Sequence, residues 1–527
     1  MSRAGTRKEP SRRRPGRGRR LLGLLGLLAV TAAQAQTPAP PDTTRIRTFV
    51  VEADVLEQDT ETTRRLTGNV RVRQDSTFLS SRRAVEFRAP GGATRAVAFI
   101  GDVLIVERGD SLRADSVYYE RRTKIGRAQG RVRLSDGEVQ VLAPSGVYFA
   151  REKRARFEEG VTLIDSAATV TSRQGTYWSD DKRAELADSV RLHADRSYLE
   201  ADSLTYFREA EVSIARGDVF IERLGGEDEG AAPDSTIRTY LFGRHAVHDE
   251  QAGLSRFTGR PLLVQIRQDS AGADADTLAI RALRLEALDR GRRQRLVAVD
   301  SVRIWQGDFA AVADSVVSER LRPATDTLAT DTLAAPPAEP REETRLFGAP
   351  VAWLGESQVS GDTLRVVGAG GAVDSLFVRG DAFVAQRDSA LDRVNQVRGR
   401  RLVGVFLPDS VRIFTVGPNA EALYFRRDDD GRLQGGVRAS GDRVTFRFRG
   451  DEPEELFFPG AEGTYYDAGL LPEPFALDGF RWMPARRPAW VSLVEDPRVP
   501  LRIDARLRPP PVSPFEAIPP VSGGRPD

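Results

Sequence analysis

The chain has 527 residues, with 78 Lys and Arg against 76 Asp and Glu for a formal net charge of +2, only three histidines and no cysteine. The absent cysteines exclude disulfides, a thiolate metal site, a cysteine nucleophile and a lipobox for N-terminal acylation. The length suffices for a large core.

Residues 1–20 carry nine Arg or Lys and one Glu, residues 21–30 read Leu-Leu-Gly-Leu-Leu-Gly-Leu-Leu-Ala-Val, and Ala33-Gln34-Ala35 follows. A basic segment, a short apolar run and a small-x-small site predict a secretory signal peptide over 1–35, cleaved after Ala35. The apolar run is too short to span a bilayer. Arg19-Arg20 leaves a twin-arginine route open. Cleavage leaves a mature chain with net charge near −6, which disfavours nucleic acid as a partner. A soluble exported protein is expected. No later segment is apolar and long enough to be a membrane helix, and the outward positions of the repeat described next are too charged for a lipid-facing barrel.

Residues 36–46 form a Pro-rich linker, and a β pattern opens with Phe49-Val50-Val51. From Val103 the sequence repeats every 29 residues, each unit starting with an apolar pair: Val103/Ile105, Val132/Leu134, Val161/Leu163, Val190/Leu192 and Val219/Ile221. A second register keeps step, because Tyr119, Tyr148, Tyr177 and Tyr206 each lie seven residues after Leu112, Val141, Val170 and Leu199. Self-similarity at such a period marks stacked units, none of which buries its apolar face alone. Alternation such as Val132-Arg133-Leu134 is that of a strand, and Leu112–Tyr119 reads as a second strand, so each unit is two strands and two turns. A divergent first unit, with Val70/Val72, lies 33 residues before Val103. The turn Ala89-Pro90-Gly91-Gly92 accounts for its insertion, and the unit suits a cap. The tract 225–235 interrupts the period, after which His248 takes the tyrosine position. Leu278–Leu288 is charged at helical intervals and equally reads as a strand. The pattern predicts β repeats over 47–320, a low-complexity loop or linker at 321–345, a second β region over 346–490 and a Pro-rich tail over 491–527, disordered from Pro509.

Catalytic signals are few. His245 and His248 would share a face only on a helix, and His193 falls on the polar face of its strand and is expected to be solvated. Asp115, Asp202 and Asp314 recur by unit, which fits turn or strand-end positions better than a single catalytic site. No P-loop, Gly-x-Ser-x-Gly, His-Glu-x-x-His or calcium nonapeptide array occurs. The reading is non-enzymatic, with no cofactor and no metal. The inward Val, Ile, Leu and Tyr side chains form an apolar strip that is a core if the two strand layers close and a hydrocarbon groove if they splay. Periodicity leaves both open.

Leu66-Thr67-Gly68-Asn69-Val70-Arg71-Val72, Gly101-Asp102-Val103 and Leu112-Arg113-Ala114-Asp115-Ser116-Val117-Tyr118-Tyr119 resemble the "Gly-Asn/Asp-Val" strand starts and "Ala-Asp-x-x-x-Tyr" strands of the OstA-like (LptA) family of periplasmic lipopolysaccharide-transport proteins. Further on, Pro350–Trp353, Ser360–Leu364, Asn395–Arg400, Asn419–Phe425 and Leu477–Trp482 resemble the long members from Bacteroidetes-type bacteria. The resemblance covers roughly 47–490. It implies an all-β, elongated β-jellyroll, or β-taco, whose V-shaped interior carries lipid acyl chains. By it, the acyl-contact strip is Val103, Ile105, Tyr119, Val132, Leu134, Tyr148, Val161, Leu163, Tyr177, Val190, Leu192, Tyr206, Val219 and Ile221. Implied partners are lipopolysaccharide or a related lipid, other jellyroll modules paired through edge strands, and the outer-membrane translocon. The expected function is a periplasmic bridge carrying lipid towards the outer membrane. The alternative is a non-enzymatic periplasmic or surface β-solenoid binding glycan or protein. A carbohydrate-active β-helix enzyme is a third reading, which requires carboxylates clustered on one outer face.

Overall fold

The computed structural model describes residues 50–494 apart from 75–76, 108–109, 136, 138, 165–167, 179, 226–234, 270–275, 291–292, 322–340, 370–371, 408–410, 429 and 450–451. The signal peptide, the 36–46 linker, most of the 225–235 and 321–345 segments and the tail from Pro509 lie outside the described residues. Those described are almost entirely antiparallel β-strands, the all-β architecture that the resemblance implies, in two compact units divided between Ala184 and Glu185.

The first unit is a meander of β1 (Val50–Glu52), β2 (Val55–Thr60), β3 (Thr63–Gln74), β4 (Thr77–Arg88), β5 (Thr94–Glu107), β6 (Asp110–Glu120), β7 (Ile125–Ser135) and β8 (Gln140–Phe149), then β9 (Arg154–Glu158), β10 (Val161–Ile164), β11 (Ala168–Ser172) and β12 (Gln174–Trp178). From β3 to β8 each strand pairs antiparallel with the next. At one margin β1 and β2 pair with β3, while β9 and β10 each pair with β8. One 29-residue period thus covers two strands. The Ala89–Ala93 turn closes on backbone bonds, Ala89 N to Ala93 O at 2.9 Å and Gly92 N to Ala89 O at 2.9 Å, where the first unit's insertion was expected.

The long strands are creased in the middle. The crease recurs where two successive residues take the left-handed conformation: Gly68/Asn69, Gly101/Asp102, Gly130/Arg131, Glu159/Gly160 and Asp188/Ser189, with Gly217 one period further on. At Gly68/Asn69, Gly101/Asp102 and Gly130/Arg131 the pairs are bulges in the ladder, while Glu159/Gly160 falls between β9 and β10. Ile100 pairs with Ser116 and Val103 with Ala114, so Gly101-Asp102 together oppose Asp115. The extra residue bends the sheet along a line that crosses successive strands, leaving one half-sheet on each side of the crease. The Gly-Asn/Asp-Val element is therefore a mid-strand corner rather than a strand start.

The second unit has the same pattern. Ser197–Phe207, Val212–Leu224 and Ser235–Asp249 pair in succession, and bulges recur at Asp300/Ser301 and Gly380/Asp381. The ambiguous 278–288 segment lies in two strands, Asp276–Arg281 and Arg284–Arg290, which pair with both flanking neighbours. Across the low-complexity segment, Ser315–Leu321 pairs directly with Arg341–Phe347. The last strands are Glu452–Phe457 and Glu462–Asp467. Beyond them the chain leaves the sheet, reaching a short helix at Trp490–Leu493.

Candidate functional site

The crease explains how both registers of the repeat reach one interior. On β5, Phe99, Val103 and Ile105 keep one face across the two-residue bulge, whereas β6 switches faces between Ala114 and Val117. Leu112, Ala114, Val117 and Tyr119 are consequently all buried, with Arg113 between them exposed. Cross-strand pairing then builds two columns. In one half, Ile105 pairs with Leu112, Leu112 with Leu134, Leu134 with Val141 and Val141 with Leu163. In the other, tyrosines alternate with small residues: Tyr119, Gly126, Tyr148, Ala155, Tyr177. A small residue between two rings leaves each phenol room to lie across its neighbour.

The two halves face each other. Leu112, Val132 and Leu134 from one and Ala128, Gly146, Tyr148, Ala155 and Phe157 from the other line a shared cleft with room for about one water molecule. Val103, Ile105, Tyr119, Val132, Leu134 and Tyr148 are buried, and Val161, Val190 and Val219 are buried beside the creases of their own strands. Farther from the crease, Leu163, Tyr177, Leu192, Tyr206 and Ile221 are only half-buried. The strip is thus a packed core over β4–β8, partly open to solvent at Leu163 and Tyr177 in the first unit and at Leu192, Tyr206 and Ile221 in the second. Burial raises the phenol pKa of Tyr119 against the opposing charge of Arg121. It raises that of Tyr148 too, with the charges of Asp180 and Glu107 adding to it. Both therefore remain neutral hydrogen-bonding tips on apolar bodies.

Inward apolar columns occur beyond the residues singled out from the repeat. In the second unit Ala311 pairs with Ala352, Ala352 with Val359, Val359 with Val384, Val384 with Val397, Val397 with Ala422 and Ala422 with Ala439. From Val359 on, these are half-buried and small. Across the crease, Gly404 pairs with Leu376 and Phe414, and Phe414 pairs with Phe446. The Phe414 ring lies edge-on to Phe406 at 5.8 Å and to Phe448 at 5.9 Å, all three half-buried. Sequence reading missed this aromatic stretch. Its signal was the alternation Val444-Thr445-Phe446-Arg447-Phe448-Arg449, outside the 29-residue period.

The histidines do not converge. His245 and His248 project to opposite faces of one strand, as their odd separation requires, with Nδ1 3.4 Å from Thr258 Oγ1 and 2.9 Å from Ser255 Oγ respectively. His248 pairs with Ser213 and Ser255, in the tyrosine column as expected. His193 is not solvated but half-buried, its ring 4.6 Å from Tyr198, and burial followed by the Arg191 charge lowers its pKa. Asp115, Asp202 and Asp314 are corner residues, not turn or strand-end ones: each carboxylate fills the space over the glycine of the neighbouring crease, Gly130, Gly217 and Gly348. Among the described residues, no group of three or more His, Asp or Glu is placed to hold a metal.

No curated protein matches the chain. The crystal structure of LptH, "the LptA homologous periplasmic component of the conserved lipopolysaccharide transport device from Pseudomonas aeruginosa", is similar at 16% identity over 27% of this chain and 84% of that one, with a TM-score of 0.15. The family model for OstA-like protein matches residues 46–202, the stretch that holds the creased repeats and most of the tyrosine column. Over those residues the chain is similar to the OstA-like family.

Proposed function

We propose that the chain carries the acyl chains of lipopolysaccharide or a related lipid between the two half-sheets, as a periplasmic bridge component working towards the outer membrane. The observation behind this reading is the inward apolar strip of each unit, shut over β4–β8 and half-open at Leu163 and Tyr177 in the first, and with half-open positions from Leu192 to Ala439 in the second. Hydrocarbon held there gains about 0.8 kcal/mol per methylene buried. The similarity of residues 46–202 to the OstA-like family agrees with a carrier rather than a catalyst. On this reading 47–320 and 346–490 are successive stretches of one carrier. Other modules and the translocon dock by strand addition, for which β1 and β2 present Val50, Val51, Val55 and Leu56, all 47% or more exposed.

The test is a photo-crosslinking residue placed singly in cells at Leu163, Tyr177, Leu192, Tyr206, Ile221 and Val397, with exposed Arg133 and Arg191 as outward controls. Lipopolysaccharide adducts are expected at the inward positions and not at the arginines. A folded, exported chain that gives none overturns the carrier. The tight packing around Val132, Leu134 and Tyr148 favours the second reading, a closed-core solenoid binding glycan or protein, and that outcome would select it.

A further inference from the structure

The second unit is apolar on its other face as well. Phe220, on the opposite side of its strand from Val219 and Ile221, is 5% exposed, and Tyr240, Leu262 and Val264 beside it are 1% or less. Sheets buried on both faces need a cover on each. The cover here is a returning segment of the chain itself. Leu471–Val494 runs back over the outer face, with Leu477 against Phe383, Leu423 and Phe425, Met483 against Val351 and Trp353, and Leu493 against Phe220, Tyr240 and Val264. Trp490 meets Trp305 at 5.2 Å.

From Phe425 back to Phe220 is ten strand-to-strand steps. At about 4.8 Å per step that is about 48 Å, which the chain from Phe475 to Leu493 covers only if nearly extended, at a reach of about 60 Å. Yet no residue from Leu471 to Ala489 joins a ladder. Side chains hold the segment instead. Gln358, 1% exposed, gives Nε2–H to Arg481 O at 2.7 Å and accepts Met483 N–H on Oε1 at 2.9 Å, so its amide serves as a peptide unit for an extended strand. Gln396, 3% exposed, accepts Leu477 N–H at 2.8 Å. At the rim, Arg398 donates to Asp478 O, and Arg487 to Gly355 O and Asp308 O, each at 2.8 Å.

We propose that this outer face is a second binding site, a channel for an extended apolar peptide, filled in cis by the chain's own Leu471–Val494 and open to the same segment from a second copy. Two features carry the proposal. A buried amide directed at a backbone that is not its own strand is costly unless a peptide lies there. A segment held by a few side-chain bonds and apolar anchors, without a ladder, opens at lower cost than the sheet beneath it. The site shares no side chain with the inward strip, so it stands whether or not that strip carries lipid.

The test keeps the whole chain. A specific protease sequence is inserted between Gly469 and Leu470, the latter 72% exposed, the protein is cleaved, and a fluorescent peptide of sequence 471–494 is added. The cleaved chain is expected to take up the peptide in exchange for its own segment, and the uncleaved chain to exclude it. Gln358→Ala with Gln396→Ala should speed release on the order of tenfold or more. Arg487→Ala, at the exposed rim, should speed it by a smaller factor and serves if the glutamine pair fails to fold. No uptake after cleavage, equal uptake by the uncleaved chain, or release unchanged by these substitutions each overturns the channel.

Discussion

Gly217 shows at a single residue why the corners constrain the sequence. Its φ of +94° lies where L side chains are strained, and a Cβ there would overlap the Asp202 carboxylate, while the Asp218 N–H donates to Asp202 Oδ2 at 3.3 Å. The same clasp recurs at Gly68 under Asp54, where Asn69 Nδ2 donates to Asp54 Oδ2 at 2.9 Å. Gly137, with φ of +93° and open space where a Cβ would stand, shares the strain without the overlap. Both glycines change to alanine at the cost of left-handed strain, about 1–2 kcal/mol. Gly217→Ala is expected to cost about 1–3 kcal/mol more than Gly137→Ala, and Asp202→Ala should recover part of that excess; urea-unfolding midpoints compare the three. The recurring aspartates were legible as repeat features and not as clasps, because the glycine each one covers lies on a neighbouring strand.

At the scale of the strand, alternation predicts less than the fold delivers. Leu112 and Tyr119 differ by an odd number, so an uninterrupted strand would put them on opposite faces. The crease at Asp115-Ser116 brings both inside. Equivalent positions of the repeat also differ in burial from one strand to another. Leu134 in the closed stretch is 3% exposed, and Leu134→Ala is expected to destabilise by about 2–5 kcal/mol. Leu192 is half-buried in the open stretch. Leu192→Ala is expected to cost less than about 2 kcal/mol while lowering lipid adduct yield at Tyr206. Thermal unfolding and the crosslinking experiment read the two effects separately. An equal stability loss at both positions would mean that the strip is shut along its length.

At the scale of the molecule, a meander of strands ends in edges that must be paired, covered or left for a partner. Among the described residues β1 and β2 pair only with β3, and Leu56 is 63% exposed. Replacing Val55 and Leu56 with lysine is expected to change stability by no more than about 0.5 kcal/mol. The same change should abolish association through that edge, as measured by sedimentation of the purified chain with a jellyroll partner, because charge on an edge strand opposes pairing.

The sequence by itself determined the elements that depend on near neighbours in the chain: strand from alternation, stacking from the 29-residue step, and the inward strip from two registers that keep phase. It also carried the motifs within 66–119 that resemble the OstA-like family, and the family model matches over 46–202. Tertiary structure decided what depends on distant partners. The left-handed corner at Gly130 is completed by Asp115 on the preceding strand, equivalent repeat positions such as Leu134 and Leu192 differ in burial, and the outer apolar residue Phe220 is covered by Leu493. Period and alternation are local properties of a strand, whereas a crease, a groove and a cover exist only once separate strands and the returning chain occupy the same space.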